Sequence, residues 1–454
     1  MITFKSNQLK MLAAFVVAGI CYFIAPQEMP EAARRVFFVF VAAALLWSLE
    51  IIPLYATSLV VVVALIFLLC RPGGVLGMNE AGYQIFLLPF GSPVIMLFFG
   101  GLVLAQALQK YSIDQYLAAK ILPFFGVKPY FVMLGFMAIT AFLSMWMSNT
   151  ATAMMMVAMA APLLKQVKEN DPFRVALLLS IAFAANIGGI ATPIGTPPNA
   201  IVLGMLANEG VRVSFVGWMK MGVPLALIIL AAASVILYFL FPSKEKKVIF
   251  KFNDNIVIGQ EARIVCAVVI LAISLWLTSE WHKIPSAVIA LFAAGLLAVL
   301  GVLKRDDFKN IDWDVLVLMW GGLALGEAIT VSGLSQWVVS LPILAQHGFW
   351  LVVIFALSAI GISTFMSNTA TANLLIPLAI AIPGENNILL AVVTALACSL
   401  AMALPISTPP NAVVFSSGML KSTDMFKAGG LVSLLGLILL IMGYRFMIMS
   451  ALNG

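Results

Sequence analysis

Charged side chains are scarce in this chain of 454 residues: they make up 10% of it, whereas hydrophobic residues make up 63%. A soluble domain carries about a quarter charged residues, so this composition excludes an ordinary soluble protein. The apolar residues are spread along the whole chain, which indicates a polytopic membrane protein and not a soluble domain with an anchor. The mean hydropathy of +1.10 agrees with this interpretation.

Histidine and cysteine are also rare. The two histidines, His282 and His347, lie far apart in the sequence, which argues against a histidine-based metal site. The four cysteines lie in or beside apolar runs without the spacing of a zinc or redox motif, so we interpret them as small buried residues. The net charge of +6 comes without a basic patch interleaved with aromatics, so we expect no nucleic-acid partner.

Two apolar runs, residues 129–164 and 348–384, contain no charged side chain at all. Each is nearly twice the ~20 residues that a helix needs to cross a hydrocarbon layer about 30 Å thick. Each also carries the tripeptide SerAsnThr near its midpoint, at 148–150 and 367–369. This pattern predicts two helical hairpins, each entering the membrane, turning at mid-depth and leaving on the side it came from.

Three motifs occur twice in the same order, which predicts an internal duplication. The pairs lie at residues 96–105 and 317–326, 147–153 and 366–372, and 196–200 and 408–412. Lysine and arginine flank the first hairpin, whereas His347 and Glu385 flank the second and neither basic residue occurs from 310 to 420. By the positive-inside rule, the two hairpins enter from opposite sides and the repeats are inverted. The same rule predicts a cytoplasmic N-terminus and a C-terminus outside.

The polar hairpin tips predict an anion site. Hydroxyl and amide groups of SerAsnThr donate hydrogen bonds, and the second arm of each hairpin is expected to begin just after the tripeptide. The unpaired N–H groups and positive dipole end of that arm would then point at the tip. Two tips brought together by inverted symmetry would bind the two ends of a dicarboxylate. Because the hairpins contain no charged residue, bound cations would have to supply the positive charge.

The ThrProProAsn segments predict breaks in the helices of residues 173–206 and 387–420, because paired prolines remove backbone donors. Freed carbonyl groups at such breaks suit a small cation. One predicted cation site comprises Ser144, Ser148, Asn149 and Gly195, and its twin comprises Ser363, Asn368 and Ser407 with the carbonyl of Met366. Glu327 is expected to be structural and paired to a neighbour.

This set of motifs resembles the divalent anion:sodium symporter family, which includes sodium-coupled dicarboxylate and citrate carriers. The resemblance covers nearly the whole chain and rests on both SerAsnThr tips and both ThrProProAsn breaks. It implies an all-α polytopic fold of about eleven transmembrane helices and two re-entrant hairpins, working as an elevator in a homodimer in the bacterial inner membrane. The substrate contacts that it implies are Ser148, Asn149, Thr150, Thr196, Ser367, Asn368, Thr369, Thr408 and Pro409.

The resemblance also implies a division into scaffold and transport units. The expected parts are scaffold helices at 1–128, a first transport unit at 129–214, scaffold helices at 215–346 with a central loop at 243–262, a second transport unit at 347–425, and a terminal helix at 426–454.

The function predicted from these features is uptake of a C4-dicarboxylate such as succinate, malate or fumarate with sodium ions and no other cofactor. Dicarboxylate exchange without net sodium flow, or a citrate or tartrate carrier of the same fold, stays open as an alternative. An intramembrane enzyme would need a nucleophile with a base, paired aspartates or a histidine metal motif, and the hairpin tips carry none of these. A channel fits less well, because re-entrant filters are usually arranged around several subunits.

Overall fold

The computed structural model describes residues 2–71, 75, 80–248, 258–339, 348–382 and 387–452, and all regular structure in these ranges is helical. Several positions used above lie outside the described residues. They are His347, Glu385, the end of the second hairpin run at 383–384, and part of the central loop at 249–257.

The first half of the chain contributes eleven described α-helices: α1 (Ile2–Ile24), α2 (Glu31–Ser48), α3 (Leu54–Leu65), α4 (Gln84–Leu87), α5 (Pro93–Lys110), α6 (Ile113–Ile121), α7 (Pro129–Ser144), α8 (Asn149–Gln166), α9 (Phe173–Ile190), α10 (Pro197–Asn208) and α11 (Phe215–Leu240). The second half contributes α12 (Gln260–Leu277), α13 (Ser279–His282), α14 (Ser286–Val299), α15 (Arg305–Lys309), α16 (Trp313–Val331), α17 (Leu334–Val339), α18 (Phe349–Phe365), α19 (Asn368–Ala381), α20 (Asn387–Cys398), α21 (Pro409–Phe415) and α22 (Ser422–Leu452).

Seven helical stretches within the described residues are long and apolar enough to cross a membrane. They are Asn7–Ile24, Gln84–Lys110, Phe173–Ile190, Phe215–Leu240, Gln260–Leu277, Trp313–Val331 and Ser422–Gly443. Shorter apolar helices accompany them, among them the first arm of the first predicted hairpin and both arms of the second. The structure therefore agrees with an all-α polytopic membrane protein, and the total of about eleven crossings stays a prediction.

Each double-length apolar run forms two helices with a turn at the SerAsnThr tripeptide, as predicted. The arms α7 and α8 have 16 and 18 residues, and the arms α18 and α19 have 17 and 14. At ~1.5 Å per residue these arms are about 21–27 Å long, shorter than a hydrocarbon layer of about 30 Å. Entry and exit on one side of the membrane stays a prediction.

Both predicted helix breaks are present. Helix α9 ends at Ile190 and the chain becomes helical again at Pro197, while α20 ends at Cys398 and α21 begins at Pro409. Proline is well suited to the first position of a helix, because the N–H that it lacks would have no partner there. The non-helical stretches between these helices contain two of the residues predicted to bind cations, Gly195 and Ser407.

The chain divides into two compact units. The first unit comprises residues 1–95, 200–212 and 312–398, and it contains the second hairpin. Its core is built on α16, which packs against α3 and α19. The pair Gly321 and Gly322 permits this approach, because a Cβ on Gly321 would meet Ser58 and one on Gly322 would overlap the side chain of Asn373.

The second unit comprises residues 96–199, 213–311 and 399–454, and it contains the first hairpin. Its central helix is α9, which is 89% buried and packs against α7, α8, α11 and α21. Gly188 lets α9 approach the backbone of α7 closely, because a Cβ there would collide with Ala141. The assignment of scaffold and mobile roles to parts of the chain stays a prediction.

Candidate functional site

Each hairpin tip ends in a capped helix N-terminus. The hydroxyl oxygens of Ser148 and Ser367 each accept a hydrogen bond from the backbone N–H three residues later, at 3.4 Å and 3.3 Å. Helices α8 and α19 therefore begin at Asn149 and Asn368, inside the tripeptide. The expectation that the second arm begins after the tripeptide is wrong by two residues, because each serine is an N-cap. Asparagine and threonine thus occupy the first helical turn.

The first tip holds a cluster of oxygen atoms around Asn149. The hydroxyl of Ser144 donates to the carbonyl oxygen of Ala185 (2.7 Å). One terminal atom of the Asn149 amide lies 2.6 Å from Ser144 Oγ, 3.2 Å from Ala185 O and 3.1 Å from Gly195 O. Because the two carbonyls can only accept, the hydrogen-bond pattern assigns the amide nitrogen to this position. Rotating the Asn149 amide by half a turn would instead bring its oxygen to this position. The oxygens of Asn149, Ser144, Ala185 and Gly195 would then all face one another.

The second tip repeats this arrangement. The hydroxyl of Ser363 lies 2.6 Å from Asn368 Oδ1 and 2.9 Å from the carbonyl oxygen of Cys398. The spacing of five residues between serine and asparagine is the same at both tips, and both Ser144 and Ser363 are fully buried. Hydroxyl, amide and carbonyl oxygens are the neutral ligands with which broken membrane helices coordinate sodium.

An asparagine closes each helix break. The side-chain nitrogen of Asn199 donates to the carbonyls nine and seven residues earlier, at 3.3 Å and 2.8 Å. The side-chain nitrogen of Asn411 donates to the carbonyls nine and seven residues earlier, at 3.0 Å and 2.9 Å. These carbonyls lie at the end of the preceding helix or in the non-helical stretch after it, where they lack a helical partner and need a donor when buried. The two ThrProProAsn segments therefore adopt the same local structure.

Asn186 on α9 links the first half of the chain to the second break. Its side-chain nitrogen donates to Thr408 Oγ1 (2.9 Å) and to Asn411 Oδ1 (3.3 Å). Asn186 is 1% exposed. Asn186 is not among the residues predicted from sequence. A single asparagine in the apolar run of α9 is nevertheless a signal, since a polar residue at membrane depth usually has a specific partner.

The turn of the first hairpin is held from two sides. Thr192, in the first break, donates its hydroxyl to the carbonyl of Met145. The ring of Trp146 stacks on Phe215 of α11 (centroids 6.2 Å apart, planes 9° apart) and on Trp276 of α12 (6.5 Å, 4°). The hairpin tip is thus positioned by a hydrogen bond to the broken helix and by a parallel aromatic stack.

The predicted substrate and cation residues fall into both units. The second unit contains Ser144, Ser148, Asn149, Thr150, Gly195, Thr196, Ser407, Thr408 and Pro409, and the first contains Ser363, Met366, Ser367, Asn368 and Thr369. Within the second unit, α21 packs against α8. Pro409 is exposed, and Asn149 and Thr150 are half-buried. The meeting of the two tips across one substrate stays a prediction.

The second predicted cation site is less complete. The hydroxyl of Ser48 donates to the sulfur of Met366 (3.4 Å), and Met366 is the C-cap of α18, with an extended backbone. Ser407 Oγ accepts from the backbone N–H of Leu404 (3.1 Å). Ser407 belongs to the second unit and Ser363, Met366 and Asn368 to the first, so their joint coordination of one ion stays a prediction.

Glu327 does not have the expected partner. It lies half-buried on α16, and no salt bridge joins it to any residue in the described part of the chain. The expected pairing of Glu327 with a neighbour is therefore not a salt bridge among the described residues, and its structural role stays a prediction.

The donor set decides which ion could bind. No group of three or more His, Cys, Asp or Glu side chains lies together in the described ranges, so these ranges contain no typical transition-metal or calcium site. The oxygens at both tips are neutral, and a monovalent cation bound there would keep its full positive charge. Such a charge can offset that of an anion at the neighbouring helix N-terminus.

Comparison with known families gives a match to the family described as citrate transporter, over residues 43–385 and 274–453. The sodium-dependent dicarboxylate transporter SdcS of Staphylococcus saprophyticus is 30% identical over 90% of this chain and 84% of its own length. SdcS of Staphylococcus aureus USA300 is 30% identical over 92% and 87%. An uncharacterized transporter of Haemophilus influenzae is 35% identical over 89% of each chain.

Among solved structures, MtrF of Neisseria gonorrhoeae aligns with a TM-score of 0.53 over 95% of this chain and 96% of that chain. The structure of MtrF is described as illuminating a class of antimetabolite efflux pumps. The two sequences are only 11% identical, so this likeness concerns the fold and carries no functional assignment.

Proposed function

Because this chain belongs to the citrate transporter family, we propose that it is a secondary transporter that takes up a C4-dicarboxylate together with sodium ions. The chain is a multi-pass membrane transporter, and succinate, malate and fumarate are the substrates that we propose. The names of the staphylococcal relatives support both the coupling ion and the class of substrate.

The observation that carries the proposal is the pair of matching serine–asparagine–carbonyl clusters at the hairpin tips. At the first tip, a sodium ion would bind among the oxygens of Ser144, Ala185 and Gly195. The amide of Asn149 would then turn so that its oxygen, and not its nitrogen, faces the ion. Ser148 completes the proposed ligands there. The second ion would be bound by Ser363, Met366, Asn368 and Ser407.

The substrate carboxylates would bind at the first turns of α8 and α19. These turns present unpaired backbone N–H groups and the positive end of the helix dipole. The proposed contacts are Ser148, Asn149, Thr150, Thr196, Ser367, Asn368, Thr369, Thr408 and Pro409. The asparagines would then serve ion and substrate together, so that loss of sodium would also weaken substrate binding.

The transport cycle that we propose is an elevator movement in a homodimer, with the hairpins and broken helices moving against the remaining helices. The protein would lie in the bacterial inner membrane with its N-terminus in the cytoplasm and its C-terminus outside. The two repeats would be inverted, and each hairpin would be re-entrant.

Uptake of radiolabelled succinate into proteoliposomes tests the proposal. An inward sodium gradient should drive uptake, and replacing sodium with choline should abolish it. Ser144→Ala and Ser363→Ala should each raise the half-saturating sodium concentration about 10- to 150-fold, because a bond to a charged group contributes about 1.5–3 kcal/mol. Thr140→Val is the matched control, since the Thr140 hydroxyl is equally buried on α7 but bonds only its own helix, at Phe136 (2.6 Å).

Equal uptake in choline would reject sodium coupling. Uptake that requires a dicarboxylate inside the vesicles would favour exchange without net sodium flow. The description of the matched family favours one second candidate, a citrate carrier, so citrate and tartrate belong in the same assay as competitors. Inhibition of succinate uptake by citrate at lower concentration than by malate would shift the substrate assignment to citrate.

A further inference from the structure

Three stretches that are far apart in the sequence meet at the base of the first hairpin. The backbone N–H of Val248 donates to the carbonyl of Val127, just before α7 (2.8 Å). The backbone N–H of Lys244 donates to the carboxylate of Asp171, just before α9 (3.0 Å). These bonds tie the segment after α11 to both ends of the hairpin.

The same contacts gather a set of exposed lysines, which we call the basic face. Its members are Lys128, Lys165, Lys168, Lys244, Lys246 and Lys247.

Two of the acidic side chains on these stretches, Asp171 and Glu245, have partners within the fold. Asp171 is 3% exposed and accepts the backbone N–H groups of Phe173 (2.8 Å) and Lys244. Glu245 pairs with Lys168 (3.2 Å). Glu169 is the third acidic residue on these stretches. Three acidic side chains face six lysines, so the basic face has a net positive charge.

A layer of aromatic side chains lies beside the basic face, at the ends of the helices from which it projects. Tyr130 in the first turn of α7 packs edge-to-face on Tyr238 in the last turn of α11, with ring centroids 4.9 Å apart. Phe239 next to it is 74% exposed, and Phe124 just before α7 is 87% exposed. Aromatic rings at the ends of apolar helices are typical of the level of the lipid headgroups. The lysines are therefore expected at the level of the lipid phosphate groups.

We infer that the basic face is a binding site for anionic phospholipid headgroups. Ammonium groups at this level attract the phosphates of negatively charged lipids, and the exposed rings of Phe124 and Phe239 would contact the adjoining acyl chains. Because residues 243–248 tie both ends of the first hairpin, a lipid bound across them would stabilise the hairpin base. The site is separate from the proposed ion and substrate residues.

Thermal unfolding of the full chain in a neutral detergent tests this inference. Titration with dioctanoyl phosphatidylglycerol should raise the midpoint temperature, and dioctanoyl phosphatidylcholine should not. The triple variant Lys244→Gln, Lys246→Gln, Lys247→Gln should weaken the apparent affinity for phosphatidylglycerol by tenfold or more, since each basic side chain near an anionic surface contributes roughly fivefold. The matched control replaces three exposed lysines elsewhere: Lys10→Gln, Lys283→Gln and Lys309→Gln.

Equal stabilisation by the two lipids would overturn the inference, as would an unchanged affinity in the first triple variant or an equal loss in the control. Equal stabilisation by glycerol 1-phosphate would assign the face to soluble phosphates instead. Should the triple variant not fold, the unmodified protein can be titrated in increasing choline chloride. The phosphatidylglycerol effect should then fall with ionic strength, and a salt-independent effect would overturn the inference.

Discussion

Replacing Asn186 with alanine should impair substrate binding while leaving the fold intact. The side chain connects α9 to Thr408 and Asn411, which close the second helix break. Asn411 is fully buried, and its own amide nitrogen already serves two backbone carbonyls. Its oxygen therefore depends on Asn186 for a donor.

The size of the effect on substrate binding follows from the oxygen of Asn411, which loses its hydrogen-bond donor. A buried acceptor left without its donor costs about 1–3 kcal/mol. Thr408 loses a donor as well, although its hydroxyl oxygen still accepts the backbone N–H of Asn411 (3.3 Å). We expect the break to rearrange in the variant so that the Asn411 oxygen regains a partner. Restoring the binding geometry then costs the same free energy, so the half-saturating concentration of substrate should rise about 5- to 150-fold.

The assay compares initial uptake rates in proteoliposomes over a range of succinate concentrations, with thermal unfolding measured in parallel. Ser180→Ala is the matched control, because Ser180 is fully buried on α9 but bonds only the carbonyl of Leu177 in its own helix (2.7 Å). An Asn186→Ala variant with unchanged half-saturation would refute the reasoning. So would a Ser180→Ala variant with the same defect, since the effect would then be one of α9 packing.

Two further predictions concern packing and pH. Gly322→Ala should lower the free energy of unfolding by about 1–3 kcal/mol, because its Cβ would overlap Asn373, whereas Gly361→Ala, in open space on α18, should not lower it; equal midpoint temperatures for the two variants would contradict this. Burial alone raises the pKa of Asp307, but hydrogen bonds from Lys110 (2.6 Å) and a backbone N–H, with the lysine charge, outweigh burial and lower that pKa. The stabilisation is therefore present above the ordinary carboxylate pKa of about 3.9 and lost as the pH falls through the lowered value. The midpoint temperature of Asp307→Asn should lie below that of wild type at neutral pH, and the two should converge as the pH falls below the ordinary carboxylate range; a constant difference would disprove the assignment.

The hairpins and the broken helices could be predicted from sequence because each leaves a local mark. SerAsnThr interrupts a run without charge, and ThrProProAsn interrupts a helix. The first residue of the second arm could not be placed, because the choice of Ser148 as N-cap depends on the turn geometry around it.

Contacts between distant segments could not be predicted. Asn186 and Thr408 are 222 positions apart, and the sequence around either residue does not indicate that the other is its partner. The approach of Gly322 to Asn373 is of the same kind, since the paired glycines indicate close packing without indicating the partner. Glu327 was expected to be paired to a neighbour by the general rule for charges in membranes, and no salt bridge joins it to a residue in the described ranges.

The parallel rings of Trp146, Phe215 and Trp276 give the protein an intrinsic optical reporter. The two indole rings lie 6.5 Å apart, and the phenyl ring of Phe215 stacks on each of them. At this distance their electronic transitions couple, and the coupling contributes to the near-ultraviolet circular dichroism. Any displacement of the first hairpin from α12 during a transport cycle would change that spectrum without an attached label. A spectrum that stays constant when sodium and substrate are added would show that the hairpin and α12 travel together.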